Sequence, residues 1–276
     1  MFKKIAKLDL TILTIIFCLA IVSIFTIYSA TLNASVEYQG SHTKMIIFYG
    51  IGFFAMVCVS LLDYRVLIKG APFYYLFGLA LLVAVYFYGS SVNSAQGWFR
   101  FGGLSFQPAE LFKFILILSL SYYLIKRNGE PLQFWRDVVT LSILTFVPFT
   151  LVMMQPDLGN ALSYLVILTT LLWIGNMQYK HVLIVVLLIG ALAASGWFVY
   201  NEYHAQIREF LDQHDKGYWL DRIDAVFRPD QASDNATYHV RNAKIAIGTG
   251  GLTGEGYLQG SSVQKGLVPY AYSDSI

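Results

Sequence analysis

The sequence predicts an all-α polytopic membrane protein with about seven transmembrane helices and a long extracytoplasmic loop containing short helices. Three observations carry that prediction. Apolar residues make up 56% of the chain and charged residues 13%, the latter about half the share usual in a soluble domain. The apolar residues gather into runs of roughly 17 to 25, the length that crosses hydrocarbon as a helix. Lys and Arg crowd into alternate loops between those runs, the asymmetry that orients a membrane protein.

The runs fall at about 8–28, 45–62, 72–88, 108–125, 138–154, 158–174 and 181–200. Lys3, Lys4 and Lys7 precede the first, but it is too long for a signal peptide and Tyr28-Ser29-Ala30-Thr31 is a poor cleavage site. Cys18 and Cys58 both fall inside spans, so neither is placed for a structural disulfide or a zinc site. With seven spans the loops form two sets. One holds Lys3, Lys4, Lys7, Arg65, Lys69, Lys126, Arg127, Arg136 and Lys180; the short loops of the other hold only Lys44 and Arg100. The richer set belongs in the cytoplasm, which puts the N-terminus inside and residues beyond about 200 outside. The expected organisation is a transmembrane helical domain over 1–200 and an extracytoplasmic loop region over 201–276.

Two clusters stand against the apolar runs: Gln107-Pro108-Ala109-Glu110 and Gln155-Pro156-Asp157. A carboxylate at the edge of a hydrocarbon layer must be solvated, paired or protonated, and such groups are functional candidates. On the topology above, both clusters face outward. Glu110 opens the fourth span, and Asp157 lies in the tight turn between the fifth and sixth. Proline suits both places, because a residue without an N–H is tolerated where a helix starts or breaks. Glu110 is favoured by the helix dipole, and Lys113 lies three residues on, where it can reach Glu110 on the same face. The plain alternative is a set of solvent-facing charges at headgroup level.

From about Asn201 the chain turns polar and carries more than half of its 17 acidic residues. A loop of that length is unusual unless functional. Glu202 to Leu220 places Ile207, Phe210 and Leu211 on one helical face, followed by Tyr218 and Trp219, as in an interfacial helix with aromatic anchors. Tyr238 to Ile247 reads as a further short helix stopped by Gly248. The Gly-rich stretch from Gly248 to Gly256 fits neither a dinucleotide fingerprint nor a P-loop and reads as turns with positive φ. No HExxH, GxSxG, metal-ligand cysteines or basic aromatic array is present, which argues against a zinc peptidase, a serine hydrolase or a nucleic-acid partner. His42, His181, His204, His214 and His239 do not cluster.

The residues themselves resemble a known family. Asn93-Ser-Ala-Gln-Gly-Trp98-Phe-Arg100-Phe-Gly-Gly-Leu-Ser-Phe-Gln107-Pro-Ala-Glu110-Leu-Phe-Lys113, Gln155-Pro-Asp-Leu-Gly-Asn160, Tyr238-His-Val with Ile245-Ala-Ile-Gly-Thr-Gly-Gly251, and Ser273-Asp274-Ser275-Ile276 occur in the order seen in the RodA/FtsW (SEDS) family. The similarity covers nearly the whole chain and looks somewhat closer to elongation-type RodA than to division-type FtsW. It implies a peptidoglycan glycosyltransferase of the bacterial cytoplasmic membrane that polymerises lipid II into glycan strands for cell elongation, cell shape or division. The implied partner is a class B penicillin-binding protein. Family members have ten spans, with a large outer loop after the seventh, so the chain looks truncated three spans short.

By motif the family's catalytic outer-loop carboxylate falls on Asp274, which without the resemblance is an ordinary loop acid. A carboxylate there can take the proton of an acceptor hydroxyl as it attacks the donor sugar. Arg100, Lys113 and Arg241 are the candidates to offset the departing pyrophosphate, as a divalent cation, Mg or Mn, could also do. Gln107, Glu110, Lys113, Asp157 and Gly159 hold the family pattern; Gln107 is a substrate-binding candidate, and Glu110, Lys113 and Asp157 either bind substrate or lock helix ends. Trp98 contacts lipid or sugar, or sits in an aromatic belt. Gly97 stands where relatives carry Arg or Ser, Ala109 where Ser is frequent, Glu255 where Lys is frequent, and Ser275 where Phe is common. Two rival functions stay open on sequence grounds: a lipid II flippase or transporter, and a non-catalytic scaffold that activates a partner wall synthase.

Overall fold

The computed structural model describes residues 9–32, 40–92, 95–101, 104–155, 157–214 and 216–268. The chain forms two units, one of residues 62–194 and one that joins residues 1–61 to 195–276. Helices coincide with all seven apolar runs. They are α1 (Leu10–Thr31), α2 (Ser41–Leu61), α4 (Ala71–Tyr88), α5 (Pro108–Ile125), α6 (Val139–Met153), α7 (Leu158–Ile174) and α8 (Tyr179–Glu202), with a short α3 (Tyr64–Lys69) after α2. Among the described residues, α1, α2, α4, α5 and the continuous Phe134–Met153 segment are long and apolar enough to cross a membrane, and α7 is an apolar helix of 17 residues. Phe54 and Phe73 stand 73% and 71% exposed, an outward apolar surface that needs hydrocarbon around it.

The unit of residues 62–194 has the denser core. Here α4, α5, α6 and α7 meet around Leu82, Phe112, Leu116, Leu120, Leu141 and Tyr164. The Phe112 ring packs edge-on against Tyr75 at 5.7 Å and tilted against Tyr164 at 5.8 Å. This approach depends on Gly78, where a Cβ would lie 2.7 Å from the Phe112 ring. Pro148, inside α6, has no N–H to give the Leu144 carbonyl one turn earlier. The Tyr75 hydroxyl donates to that carbonyl instead, at 2.9 Å, so this acceptor is not left bare in an apolar layer.

The fifth span begins earlier than its hydropathy predicts. A π-helical turn over Phe134–Val138 runs directly into α6. Its Asp137 is fully buried and meets Arg127 at 3.2 Å and Arg136 at 3.2 Å. It also accepts from the Tyr123 hydroxyl and the Gln133 amide. The sequence reading places these arginines in a cytoplasmic loop and assigns the acid no role; the structure makes the acid their buried anchor.

An all-helical expectation also misses a small antiparallel sheet between α4 and α5. It is built from β1 (Ser90–Val92), β2 (Ala95–Phe101) and β3 (Leu104–Phe106), in the order β1-β2-β3. Arg100 pairs with Ser105 in its register.

In the other unit, Asp9 caps α1 by accepting from the Thr11 and Ile12 amides. Thr14, Thr26 and Thr31 donate to carbonyls one turn back, which hides their hydroxyls within the helix. After α8 the chain makes α9 (His204–Gln213), α10 (Gly217–Phe227), α11 (Asp234–Gly250) and α12 (Ser261–Gln264). The single amphipathic segment expected over 202–220 is therefore two helices. The chain turns after Gln213, and a Cβ at Gly217 would lie 2.1 Å from Asp212 Oδ1. Gly248 does not stop the next helix either, because α11 runs through it. A glycine in helical conformation only weakens a helix; the helix ends where Gly251 takes φ +56°. The positive-φ turns expected in the Gly-rich stretch are present at Gly251, Gly254 and Gly256.

Asp224 organises this region. Fully buried, it accepts from the Tyr200 hydroxyl at 2.6 Å and from Arg208 at 2.5 Å, and it lies 2.9 Å from His204 Nε2. Burial pushes its carboxyl up, but the bonds from Tyr200, His204 and Arg208 outweigh that and hold it below the usual carboxylate range.

Candidate functional site

The two Gln-Pro-acid clusters, 50 residues apart in sequence, meet in space. Gln107 is the extended residue before α5, with Pro108 at the first helical position, as a residue lacking an N–H allows. Its Nε2 donates to Asp157 Oδ2 at 2.6 Å. Asp157 caps α7 by accepting from the Asn160 amide at 3.1 Å, and it accepts from Asn160 Nδ2 at 2.7 Å. One carboxylate thus fixes the start of α7 and ties it to the start of α5.

Two further groups close the corner. Gln155 is buried and donates from Nε2 to the Leu82 carbonyl of α4 at 3.1 Å. The Tyr164 hydroxyl donates to the Ala109 carbonyl at 2.9 Å, satisfying an acceptor in the first turn of α5. Against this corner lies β2, where a Cβ on Gly97 would stand 3.5 Å from Gln155 Oε1 and 3.7 Å from Gln107 Nε2. Those are ordinary contacts, so a small side chain would fit where this chain has glycine. Because strand faces alternate, Trp98 and Arg100 share the opposite face from Gly97. Arg100 is exposed and Trp98 half-buried.

Glu110 and Lys113 pair as their spacing predicts, with Lys113 Nζ 2.9 Å from both carboxylate oxygens. The pair is open to solvent, Glu110 being 55% and Lys113 27% exposed. The sequence-predicted residues Trp98, Arg100, Gln107, Glu110, Lys113 and Asp157 therefore lie on β2 and the adjoining starts of α5 and α7. Arg241 lies on α11 in the other unit. Asp274 lies outside the described residues.

Sequence reasoning did not single out Gln155 as a buried strut or Tyr164 as a partner of α5. The Gln-Pro pattern flagged the first, and nothing local flags the second. Among the described residues no three His, Cys, Asp or Glu side chains gather closely enough to hold a metal ion. Glu255 accepts from the Ser261 amide and from the Ser261 hydroxyl at 2.8 Å. Those bonds hold its carboxyl below the usual range. The same loop is fastened to α1, since Gln264 Nε2 donates to the Ser29 carbonyl at 2.9 Å and the Leu258 amide to the Ser29 hydroxyl at 3.3 Å.

The FtsW/RodA/SpoVE family, described as cell cycle proteins, matches residues 9–276. The chain belongs to this family. Among family relatives, the peptidoglycan glycosyltransferase MrdB of Escherichia coli K12 is 32% identical over 271 residues, covering 98% of this chain and 67% of MrdB. The probable peptidoglycan glycosyltransferase FtsW of Wigglesworthia glossinidia brevipalpis is 28% identical over 286 residues, covering 99% and 69%. The chain thus spans about two thirds of the length of these relatives. Among solved structures, the rod shape determining protein RodA of Thermus thermophilus matches with a TM-score of 0.57 at 23% identity, covering 98% of each chain. A chain of a peptidoglycan synthase complex that coordinates polymerization and crosslinking matches with a TM-score of 0.62 at 23% identity, covering 83% of this chain and 63% of that one. At such identity these two likenesses speak for the fold. The family expected from the motifs is confirmed, and the activity its named members carry, peptidoglycan glycosyl transfer, is the one the motifs imply.

Proposed function

We propose that this SEDS-family chain takes part in polymerising lipid II into glycan strands at the outer face of the bacterial cytoplasmic membrane, beside a class B penicillin-binding protein. In this reading residues 1–200 form the membrane domain and residues 201–276 the outer loop region. An acceptor sugar hydroxyl attacks the anomeric carbon of the donor; the new glycosidic bond forms as the bond to undecaprenyl pyrophosphate breaks. Asp274 takes the hydroxyl proton. Arg100 and Lys113 offset the charge that builds on the departing pyrophosphate.

The observation that best supports the reading is the Gln107–Asp157 bond. It draws the two motif clusters into one rigid corner and leaves Glu110, Lys113, Arg100 and Trp98 as accessible groups around it. A site whose first contacts rest on a fixed support holds substrate in productive geometry. A lipid-linked substrate requires such a site near the membrane surface. The synthase complex similar in fold coordinates polymerization with crosslinking, which supports a crosslinking partner, and a class B penicillin-binding protein is our reading of that partner.

The test uses the full-length protein, purified with its partner and supplied with lipid II. Wild type should yield glycan strands and Asp274→Asn none. Normal polymerisation by the variant would remove Asp274 as the base. If neither protein polymerises but liposomes carrying them expose lipid II to an external probe, the enzyme reading yields to transport.

A further inference from the structure

A second concentration of charge lies in the unit of residues 1–61 and 195–276, apart from the motif corner in the sequence. A cavity of about 590 Å³ opens between α10 and α11, and Asp230, Thr237, Arg241 and Lys244 line it with apolar walls at Pro229 and Val240. Arg241 and Lys244 are three residues apart, so one helical face carries both. The ion pairs among the described residues use Lys113, Arg127, Arg136, His204 and Arg208, and neither of these two. Two cations against one carboxylate leave the cavity with a net positive charge.

Its frame is built rather than incidental. Arg208, anchored on Asp224, also donates to the Gln231 carbonyl at 3.1 Å. The Thr237 hydroxyl donates to the Pro229 carbonyl at 3.3 Å, and the Ser233 amide donates to Asp221 Oδ1 at 3.3 Å. The segment joining the two helices is therefore held from both sides. The same helices expose large apolar side chains, among them Val226, Phe227 and Ile247. A cationic pocket on helices that also present apolar surface suits an amphiphile with an anionic head.

We propose that this cavity binds the phosphate or pyrophosphate group of a membrane lipid, with Arg241 and Lys244 on its oxygens. The volume lies in the range of small-ligand sites, about 300 to 1,000 Å³, and charge-assisted bonds to phosphate are the strong class. Asp230 then works against affinity and limits binding to groups with enough negative charge to overcome it. The inference rests on the proposed lipid II reading only for which lipid arrives.

The experiment measures lipid binding to full-length protein by native mass spectrometry, with undecaprenyl pyrophosphate and with phosphatidylglycerol as probes and phosphatidylcholine as the neutral control. Arg241→Gln with Lys244→Gln should weaken binding of the favoured anionic probe by about tenfold or more, as the loss of two phosphate-directed cations implies. Asp230→Asn should tighten it. Wild-type affinity in the double variant, or weaker binding in Asp230→Asn, overturns the proposal. If the double variant does not fold, Asp230→Asn decides alone. Strong preference for undecaprenyl pyrophosphate assigns the site to the substrate lipid, whereas equal competition by phosphatidylglycerol assigns it to bilayer headgroups. Failure of wild type to polymerise lipid II, with these binding shifts intact, would remove the proposed function and leave the cavity's role standing.

Discussion

Replacing Asp157 with alanine removes three acceptances at once, and their sizes can be worked from the geometry. The bond from the Asn160 amide is a helix N-cap, worth about 1 kcal/mol. The bond from Gln107 at 2.6 Å is charge-assisted, worth about 1.5 to 3 kcal/mol when shielded. Both partners are only half-buried, so water recovers part of that loss and the lower end applies. The bond from Asn160 Nδ2 is local and solvent can replace it. We expect a total loss of about 2 to 3 kcal/mol for Asp157→Ala, and less for Asp157→Asn, which keeps a capping oxygen. The assay is reversible unfolding in mixed micelles on wild type, Asp157→Ala, Gln107→Ala and the double variant. A coupling of about 1 kcal/mol or more belongs to the cross-helix bond. Additive single losses would mean that the two clusters are not joined in the folded protein, and the rigid-corner argument would go with them.

Glu110→Gln and Lys113→Ala should each change stability by less than about 1 kcal/mol, because the pair is exposed. They should nonetheless cut lipid II polymerisation in the same preparations. A stability loss matching the activity loss would make the pair structural. Tyr75→Phe should destabilise by about 1 to 2 kcal/mol, since it strips a hydroxyl donor from the Leu144 carbonyl beside Pro148; unfolding in micelles measures it, and Pro148→Ala should rescue it. Because the folded carboxyl of Asp224 sits below its unfolded value, its stabilising contribution is fully present above the unfolded value, about pH 4, and is lost as pH falls through the folded one. Acid titration of unfolding should show that loss in wild type and not in Asp224→Asn.

The spans were legible because lipid is their solvent: a helix of the required length must be apolar almost throughout, and hydropathy reads that directly. Their ends were less so. Asp137 sits inside a helical turn because Arg127 and Arg136 neutralise it, a compensation that single-residue hydropathy cannot see. The β insertion was missed because its signal is short. Gly97, Phe99 and Phe101 alternate with Trp98 and Arg100, and Gly102-Gly103 is a hairpin pair by sequence, but neighbouring helical runs dominate the pattern. The Glu110–Lys113 pair was readable because it is local. The Gln107–Asp157 bond was not, since only the packing of α5 against α7 brings partners 50 residues apart within reach. Gln155 shows the same limit, its role being set by the distant Leu82 carbonyl.

The two motif acids divide between them what either alone could not do. A carboxylate that accepts from a helix amide, a neighbouring amide and a cross-helix amide has most of its lone pairs committed, which makes Asp157 a poor partner for a changing substrate and a good fixed point. Glu110 begins the helix that Asp157 helps to hold, and among the described residues its carboxylate pairs with the flexible ammonium of Lys113. A sugar hydroxyl could exchange with that pair at small cost, and a phosphate could compete for Lys113, because an exposed ion pair is worth little in water. On the proposed function, immobile support under exchangeable charge would keep ligand contacts in register while letting product leave. The cost of an acid beside an apolar run is thus met in two ways, at Asp157 by hydrogen bonds and at Glu110 by solvent and the ammonium of Lys113.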